Sequence, residues 1–124
     1  MLLINNVHNI FYLGLASSGG AVAPSVLAGV ATRTLMGRKE ETLEMALAAK
    51  RLYNSGNPDL TYYEQGMDTS IIDDLSKRGH RLSPVPALGK VNGVFCSTGV
   101  PSEKDLSCSM RPDPRGFGLA AGAE

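Results

Sequence analysis

The chain has 124 residues, about the length of one domain, and 43% of them are hydrophobic, which is ordinary for a globular protein. Its 12 basic residues balance its 12 acidic residues, and it contains no tryptophan. Without a basic surplus or an aromatic stacking platform, the composition argues against a nucleic-acid partner. The apolar opening, residues 1–4, is too short for a signal sequence or a membrane span, so no membrane partner is expected.

The first predicted elements are an apolar strand over residues 10–16, a tight turn over residues 17–20 and a helix over residues 21–36. Pro24 fits only in the first turn of a helix, because proline lacks an N–H group and clashes with the preceding turn. Behind it, apolar residues recur at helical spacing and form a broad stripe, which indicates one buried helix face. Gly37 is predicted to end this helix.

Gly19 and Gly20 lie between this strand and this helix. Glycines adopt φ angles that other residues avoid, and they let a ligand approach the backbone closely. The N-terminus of a helix adds unpaired N–H groups and a partial positive charge. The pattern therefore predicts a site for a phosphate, a carboxylate or the oxyanion of an acyl-transfer reaction. The simpler alternative is that the glycines only turn the chain, since short glycine motifs often occur by chance.

The remainder of the chain predicts two more helices and several short strands. Helix formers, with charges placed as the helix dipole prefers, favour a second helix over residues 40–52. Asp68 or Thr69 can cap a third helix over residues 70–78. The predicted extended segments are residues 60–64, 80–85, 88–96 and 106–110, with loops over residues 54–59 and 97–105 and an irregular tail from residue 112.

Cys96 and Cys108 are the only cysteines, and the sequence leaves open whether they are free thiols or one disulfide. Because His8 and His80 lie far from them in the chain, a cluster of four zinc ligands is not expected. No dinucleotide-binding glycine pattern follows the first strand. We therefore expect neither a metal site nor a cofactor.

Four blocks of the sequence resemble the C-terminal end of the γ-glutamyltranspeptidase family, N-terminal-nucleophile hydrolases that cleave and transfer γ-glutamyl groups. The blocks are residues 10–27 with the Ser18-Gly19-Gly20 turn, residues 43–51, residues 64–80, and residues 89–94 together with Asp113-Pro114-Arg115 and the small-residue tail. They stand in the family's order and cover nearly all of the chain.

The chain also departs from the family pattern. Lys50 stands where the family usually has proline, and the stretch between Phe95 and Asp113 is longer than usual. In the family, the catalytic threonine and the residues that hold the γ-glutamyl amino and carboxyl groups lie well upstream of the glycine pair. This sequence starts only 18 residues before Gly19. We therefore expect those residues outside this chain, and Ser17 and Ser18 take no substrate-binding role.

The resemblance implies an α+β fold, part of the αββα sandwich of N-terminal-nucleophile hydrolases, with helices packed on antiparallel sheet. It implies that residues 1–124 form a single domain, a C-terminal fragment of such an enzyme. Gly19 and Gly20 would supply the oxyanion hole, and Arg51 and Arg115 would brace the fold through ion pairs. The implied substrate is a γ-glutamyl small molecule of the glutathione type, and the chain alone is expected to be inactive.

A sandwich without all of its strands exposes a sheet edge, and exposed edges pair readily with other chains. We therefore expect a complementary N-terminal (large-subunit) segment or a second copy of the chain as partner. Two alternatives stay open: a non-catalytic truncated relative that acts as an oligomeric or binding protein, and an unrelated α/β protein that binds an anion at the glycine pair. Family members are often periplasmic or secreted, but the sequence leaves the compartment unknown.

Overall fold

The computed structural model describes residues 1–38, 40–101 and 107–121. The elements in chain order are β1 (Leu2–Asn5), β2 (Ile10–Ser18), a 3₁₀ turn (Gly20–Val22), α1 (Ala23–Met36), α2 (Leu43–Ala48), β3 (Leu52–Asn54), β4 (Thr61–Glu64), α3 (Thr69–Lys77), β5 (Leu82–Val85), β6 (Lys90–Val100) and β7 (Cys108–Arg111). One sheet has the order β1-β2-β6-β7 and is antiparallel throughout. The other has the order β3-β4-β5, with β4 and β5 parallel.

Helices α1 and α2 pack on one face of the four-stranded sheet. Leu13 and Leu15 of β2 and Val91 of β6 are buried there. The helices contribute the other buried members of this core cluster, Val26, Val30, Ala31, Leu43, Ala46 and Leu47. The predicted apolar stripe of α1 is thus its buried face. In the described part of the chain, no helix is both long and apolar enough to cross a membrane.

The second helix is shorter than predicted. It begins after Thr42, whose hydroxyl accepts a hydrogen bond from the Met45 N–H group at 3.2 Å, and it ends at Ala48. Arg51 leaves the helix because its backbone N–H group donates to the Glu64 carboxylate, at 3.2 Å. The prediction that residues 49–52 are helical was therefore wrong, and Leu52 instead begins β3.

Other boundaries also differ from the prediction. Strand β1 was not predicted; it forms because a short apolar segment pairs with β2. The helix after the glycine pair begins with the 3₁₀ turn, so that α1 starts at Ala23. Helix α3 is shifted by one residue from its predicted range, and β6 continues to Val100. Residues 102–106, part of the predicted loop and the start of the last predicted strand, lie outside the described residues.

Cys96 and Cys108 form a disulfide that joins β6 to β7. The two residues face each other across the ladder, which decides between the two alternatives that the sequence left open.

The face of the four-stranded sheet opposite α1 and α2 is apolar. Leu2, Gly14, Val94 and Met110 lie on one register row across the four strands and alternate with the buried core residues. They line an open groove of about 490 Å³, together with residues of the C-terminal tail. Leu2 is 69% exposed. Contiguous apolar surface of this kind is typical of an interaction face.

We expect this face to make the chain associate at micromolar concentration, with another copy or with a complementary segment. Sedimentation measures the association. Val94→Glu and Met110→Glu should weaken it, because each places a charge on the apolar row. Ile71→Glu, at an exposed apolar residue of α3, is the matched control and should have no effect. A stable monomer with cooperative unfolding would contradict this expectation.

Candidate functional site

The glycine turn, Gly19 and Gly20, connects the end of β2 to the start of the helical segment. Gly19 has a φ of 140° and Gly20 a φ of 60°, both in the region that favours glycine. The Gly19 carbonyl accepts a hydrogen bond from the Val22 N–H group at 3.3 Å, and the Gly20 carbonyl accepts one from Ala23. The carbonyl groups of the turn are therefore used to start the helix.

The N–H groups of the glycine turn, in contrast, are unpaired within the described part of the chain. Neither Gly19 nor Gly20 donates a backbone hydrogen bond to any residue that the structure describes, and both are exposed. They stand at the positive end of the α1 dipole. Lys90 pairs with Ser18 in the β2–β6 ladder, so a basic residue stands next to the end of β2. This arrangement suits a negatively charged oxygen.

An open groove of about 340 Å³ begins at Ser17 and Ser18, the two residues before the glycine turn. Lys90 and Asn92 also line it. The Ser17 hydroxyl donates to the Ser18 carbonyl, at 3.4 Å, and none of the described residues bonds to it as a base. A serine nucleophile needs such a base for its activation. Among residues 1–38, 40–101 and 107–121, no group of His, Cys, Asp or Glu could hold a metal ion.

Four charged side chains, Arg51, Glu64, Asp113 and Arg115, form a second feature, which we call the buried charge network. Arg51 pairs with Asp113 at 2.6 Å, and Arg115 pairs with Glu64 at 2.5 Å. Arg115 also reaches the second oxygen of Asp113, at 3.2 Å. The carboxylates are 1% exposed, and the arginines are 8% and 11% exposed. The expectation that the two arginines brace the fold through ion pairs is confirmed.

Hydrogen bonds keep both carboxylates of the network charged. Burial raises the pKa of Glu64, but the hydrogen bonds from Arg115 and from the Leu88 N–H group outweigh it, and the pKa lies below its ordinary value. Burial acts on Asp113 in the same way, and the backbone N–H group of Arg115 and the side chain of Arg51 lower its pKa. Each arginine is therefore balanced by an ionised partner at neutral pH.

Sequence reasoning missed the acidic members of the network. The chain has 12 acidic residues, and nothing local selects the two that are buried. Arg51 and Asp113 are 62 positions apart, and Glu64 and Arg115 are 51 positions apart. One usable signal was the sequence Asp113-Pro114-Arg115. Aspartate often accepts a hydrogen bond from the backbone two residues later in a turn, and here the Asp113 carboxylate accepts from the Arg115 N–H group.

The lowered pKa values predict acid sensitivity. Carboxyl groups whose pKa is lower in the folded state than in the unfolded state contribute stability that is fully present above their ordinary values, 4.5 for Glu64 and 3.8 for Asp113. That contribution is lost as the pH falls through the folded-state values. The free energy of unfolding, measured by urea denaturation, should therefore decrease from pH 6 towards pH 3.

Glu64→Gln separates this effect from general acid denaturation. It should be less stable than the wild type at pH 7, because Arg115 loses one of its two charged partners, and it should lose less stability between pH 6 and pH 3. Glu44→Gln, on an exposed ion pair with Arg111, should keep the wild-type pH dependence. Equal slopes for the wild type and Glu64→Gln would show that Glu64 does not carry the effect.

A sequence model of the gamma-glutamyltranspeptidase family matches residues 1–123. The chain belongs to the γ-glutamyltranspeptidase family. No curated protein matches the chain.

Solved structures of the family share the fold. A mutant γ-glutamyltranspeptidase from Helicobacter pylori gives a TM-score of 0.79 at 24% identity, over 94% of this chain and 59% of that chain. The Pseudomonas nitroreducens enzyme complexed with L-DON gives a TM-score of 0.81 at 21% identity, over 100% of this chain and 61% of that chain. The transpeptidase CapD of Bacillus anthracis gives a TM-score of 0.75 at 17% identity, over 99% of this chain and 69% of that chain.

These similarities confirm the predicted fold class, an α+β arrangement that forms part of the N-terminal-nucleophile hydrolase sandwich, with helices packed on antiparallel sheet. The chain spans about 60% of the length of the γ-glutamyltranspeptidase chains that it matches. At these identities the structural likeness shows a shared fold, and a shared fold does not by itself establish a shared activity.

Proposed function

We propose that this chain is the C-terminal portion of a γ-glutamyltranspeptidase-like enzyme that transfers or hydrolyses the γ-glutamyl group of glutathione-type substrates. Residues 1–124 act as one domain, and Gly19 and Gly20 supply the oxyanion hole. The observation that carries the proposal is the glycine turn: a family member presents, where a helix begins, two exposed N–H groups that donate to none of the described residues. Backbone donors fixed in this way are a common means of stabilising an oxyanion.

The chemistry follows from this placement. A threonine hydroxyl on another segment attacks the γ-carbonyl carbon of the substrate, and the carbonyl oxygen becomes negatively charged. The N–H groups of Gly19 and Gly20 donate to this oxygen as its charge develops, so they stabilise the transition state more than the bound substrate. The intermediate then collapses: the amine leaves with a proton, and the γ-glutamyl ester remains. Water or a second amine attacks that ester, and the same donors serve again.

A second candidate is a non-catalytic relative that acts as an oligomeric or binding protein. The open apolar face of the four-stranded sheet favours it, since such a face can bury a partner without any chemistry. Both candidates involve association, and only the first involves turnover. An activity assay therefore separates them.

Purified alone, the chain should not hydrolyse a γ-glutamyl anilide, because an oxyanion hole without an activated nucleophile cannot complete the covalent route. Combined with a complementary family segment that carries the threonine, it should release the aniline, which is followed by absorbance. A combined protein that assembles but stays inactive would favour the non-catalytic relative. Turnover by the chain alone, lost on replacing Thr32 or Thr98, would contradict the assignment.

Gly20→Ala tests the oxyanion role in the combined enzyme. A Cβ atom at this position meets no other atom within 4 Å, so the alanine fits sterically. The φ of 60° strains it, however, at a cost on the order of 1 kcal/mol. If relief of the strain turns the N–H groups away from the oxyanion, kcat should fall towards the loss of about 10²-fold that follows removal of one donor.

Gly79→Ala is the matched control. Gly79 has a φ of 88°, and a Cβ atom there also meets nothing within 4 Å. It lies after α3, so the variant should show a similar decrease in melting temperature with unchanged kcat. Equal activity of the two variants, at matched stability, would mean that the glycine turn only redirects the chain.

A further inference from the structure

The glycine turn rests directly on a second glycine. A Cβ atom built on Gly19 would lie 2.9 Å from the Cα atom of Gly89, closer than real side-chain contacts allow. Gly89 has a φ of 64°, and a Cβ atom on it would lie 3.1 Å from the Ser18 carbonyl oxygen. A side chain on Gly19 would clash with this backbone, and one on Gly89 would require the Ser18 carbonyl to move by a few tenths of an ångström. The backbone of Gly89 therefore packs directly against Gly19 and limits where Gly19 can lie.

The position of Gly89 is set in turn by the buried charge network. Arg51 donates through Nη1 to the carbonyl oxygens of both Leu88 and Gly89, at 2.9 and 3.1 Å. Glu64 accepts from the Leu88 N–H group at 2.7 Å, and Asp113 accepts from the Val91 N–H group at 2.6 Å. The backbone on either side of Gly89 is thus held by three charged side chains.

Arg51 is the member of the network that bonds to Gly89 itself. Its other terminal nitrogen binds Asp113 and the Leu47 carbonyl, so the guanidinium is fixed at both ends. Arg115 is nearly as buried, but its side chain binds the carbonyls of the α2 end and the two carboxylates. None of these bonds reaches the backbone next to the glycine turn.

We propose that Arg51 is a positioning residue for the glycine turn: through the carbonyl groups of Leu88 and Gly89 it sets the placement of Gly89, and through the contact between Gly89 and Gly19 it sets the direction of the turn's N–H groups. The placement itself is independent of the proposed function. Its catalytic consequence, correct aim at the oxyanion, rests on the proposed function.

The first test is a nuclear magnetic resonance comparison of the amide signals of Gly19 and Gly20 in the full chain, bound to its complementary segment where it is isolated in that form. Arg51→Lys keeps the positive charge but cannot reproduce the planar fork that bridges two carbonyls and a carboxylate. Its Gly19 and Gly20 signals should shift from their wild-type positions. Arg115→Lys, an equally conservative change in the same network, should shift both signals much less, because Arg115 reaches this backbone only through Glu64 and Asp113.

Gly89→Ala is a second variant that reaches the turn without changing any charge. The new methyl group would press on the Ser18 carbonyl and on Val26, so the same two signals should shift. Gly79→Ala, with similar backbone strain and open space, is its control. Unchanged Gly19 and Gly20 signals in Arg51→Lys or in Gly89→Ala, or equal shifts in Arg51→Lys and Arg115→Lys, would overturn the inference.

The second test measures kcat and KM in the combined enzyme, well below the melting temperature of every variant. Misdirected oxyanion donors act in the transition state, so Arg51→Lys should lower kcat by about 10-fold or more and leave KM within about two-fold. Shifted amide signals with unchanged kcat would contradict the oxyanion role of the turn and leave the positioning role of Arg51 intact. A loss of kcat without shifted signals would overturn the positioning role.

Discussion

The interaction on which the structure most depends is the buried charge network of Arg51, Glu64, Asp113 and Arg115. It joins parts of the chain that are distant in sequence: the end of α2, strand β4, the start of β6 and the C-terminal segment. Removing water from four charged groups is costly, and the cost is met here by paired charges and by hydrogen bonds to backbone groups, while the buried Nε of Arg51 has no partner among the described residues. Loss of any one member leaves an uncompensated buried charge, which typically costs about 3–5 kcal/mol. The network therefore fixes the relative placement of the elements more than it adds net stability.

The same network links the two sheets to the candidate site. Arg51 stands between α2 and β3, and its backbone N–H group is used by Glu64 at the end of β4. Its side chain holds the loop that precedes β6, where Gly89 touches the glycine turn. The charged interior and the exposed turn are consequently not separate features: a free N–H group can be aimed only if the backbone behind it is rigid. This gives a physical reason for placing an arginine that is bonded through both terminal nitrogens behind a turn that has no side chains of its own.

The sequence was sufficient for the features that local chemistry decides. Pro24 and the stripe behind it located α1, and Asp68, which caps the Ser70 N–H group at 2.9 Å, located α3. It was insufficient where a distant partner decides. Residues 49–52 are good helix formers. The helix nevertheless ends before them, because the Arg51 N–H group donates to the Glu64 carboxylate and Leu52 pairs with strand β4. The acidic half of the network was missed for the same reason, since its partners become neighbours only in the folded chain. Strand β1 is a separate case, because it is a short apolar segment that pairs with the next strand in sequence.

The glycine turn itself was predicted from the sequence, whereas its contact with Gly89 was not. A site made of backbone N–H groups requires no particular side chain. It restricts the sequence only at the few positions where a Cβ atom is excluded or strained, namely Gly19, Gly20 and Gly89. A sequence can therefore differ at most other positions and still build the same turn, which is compatible with a shared fold at 17–24% identity. In a site of this kind the informative pattern is a pair of distant glycines in contact, backed by a charged residue that fixes one of them. That pattern becomes visible only when the chain is folded.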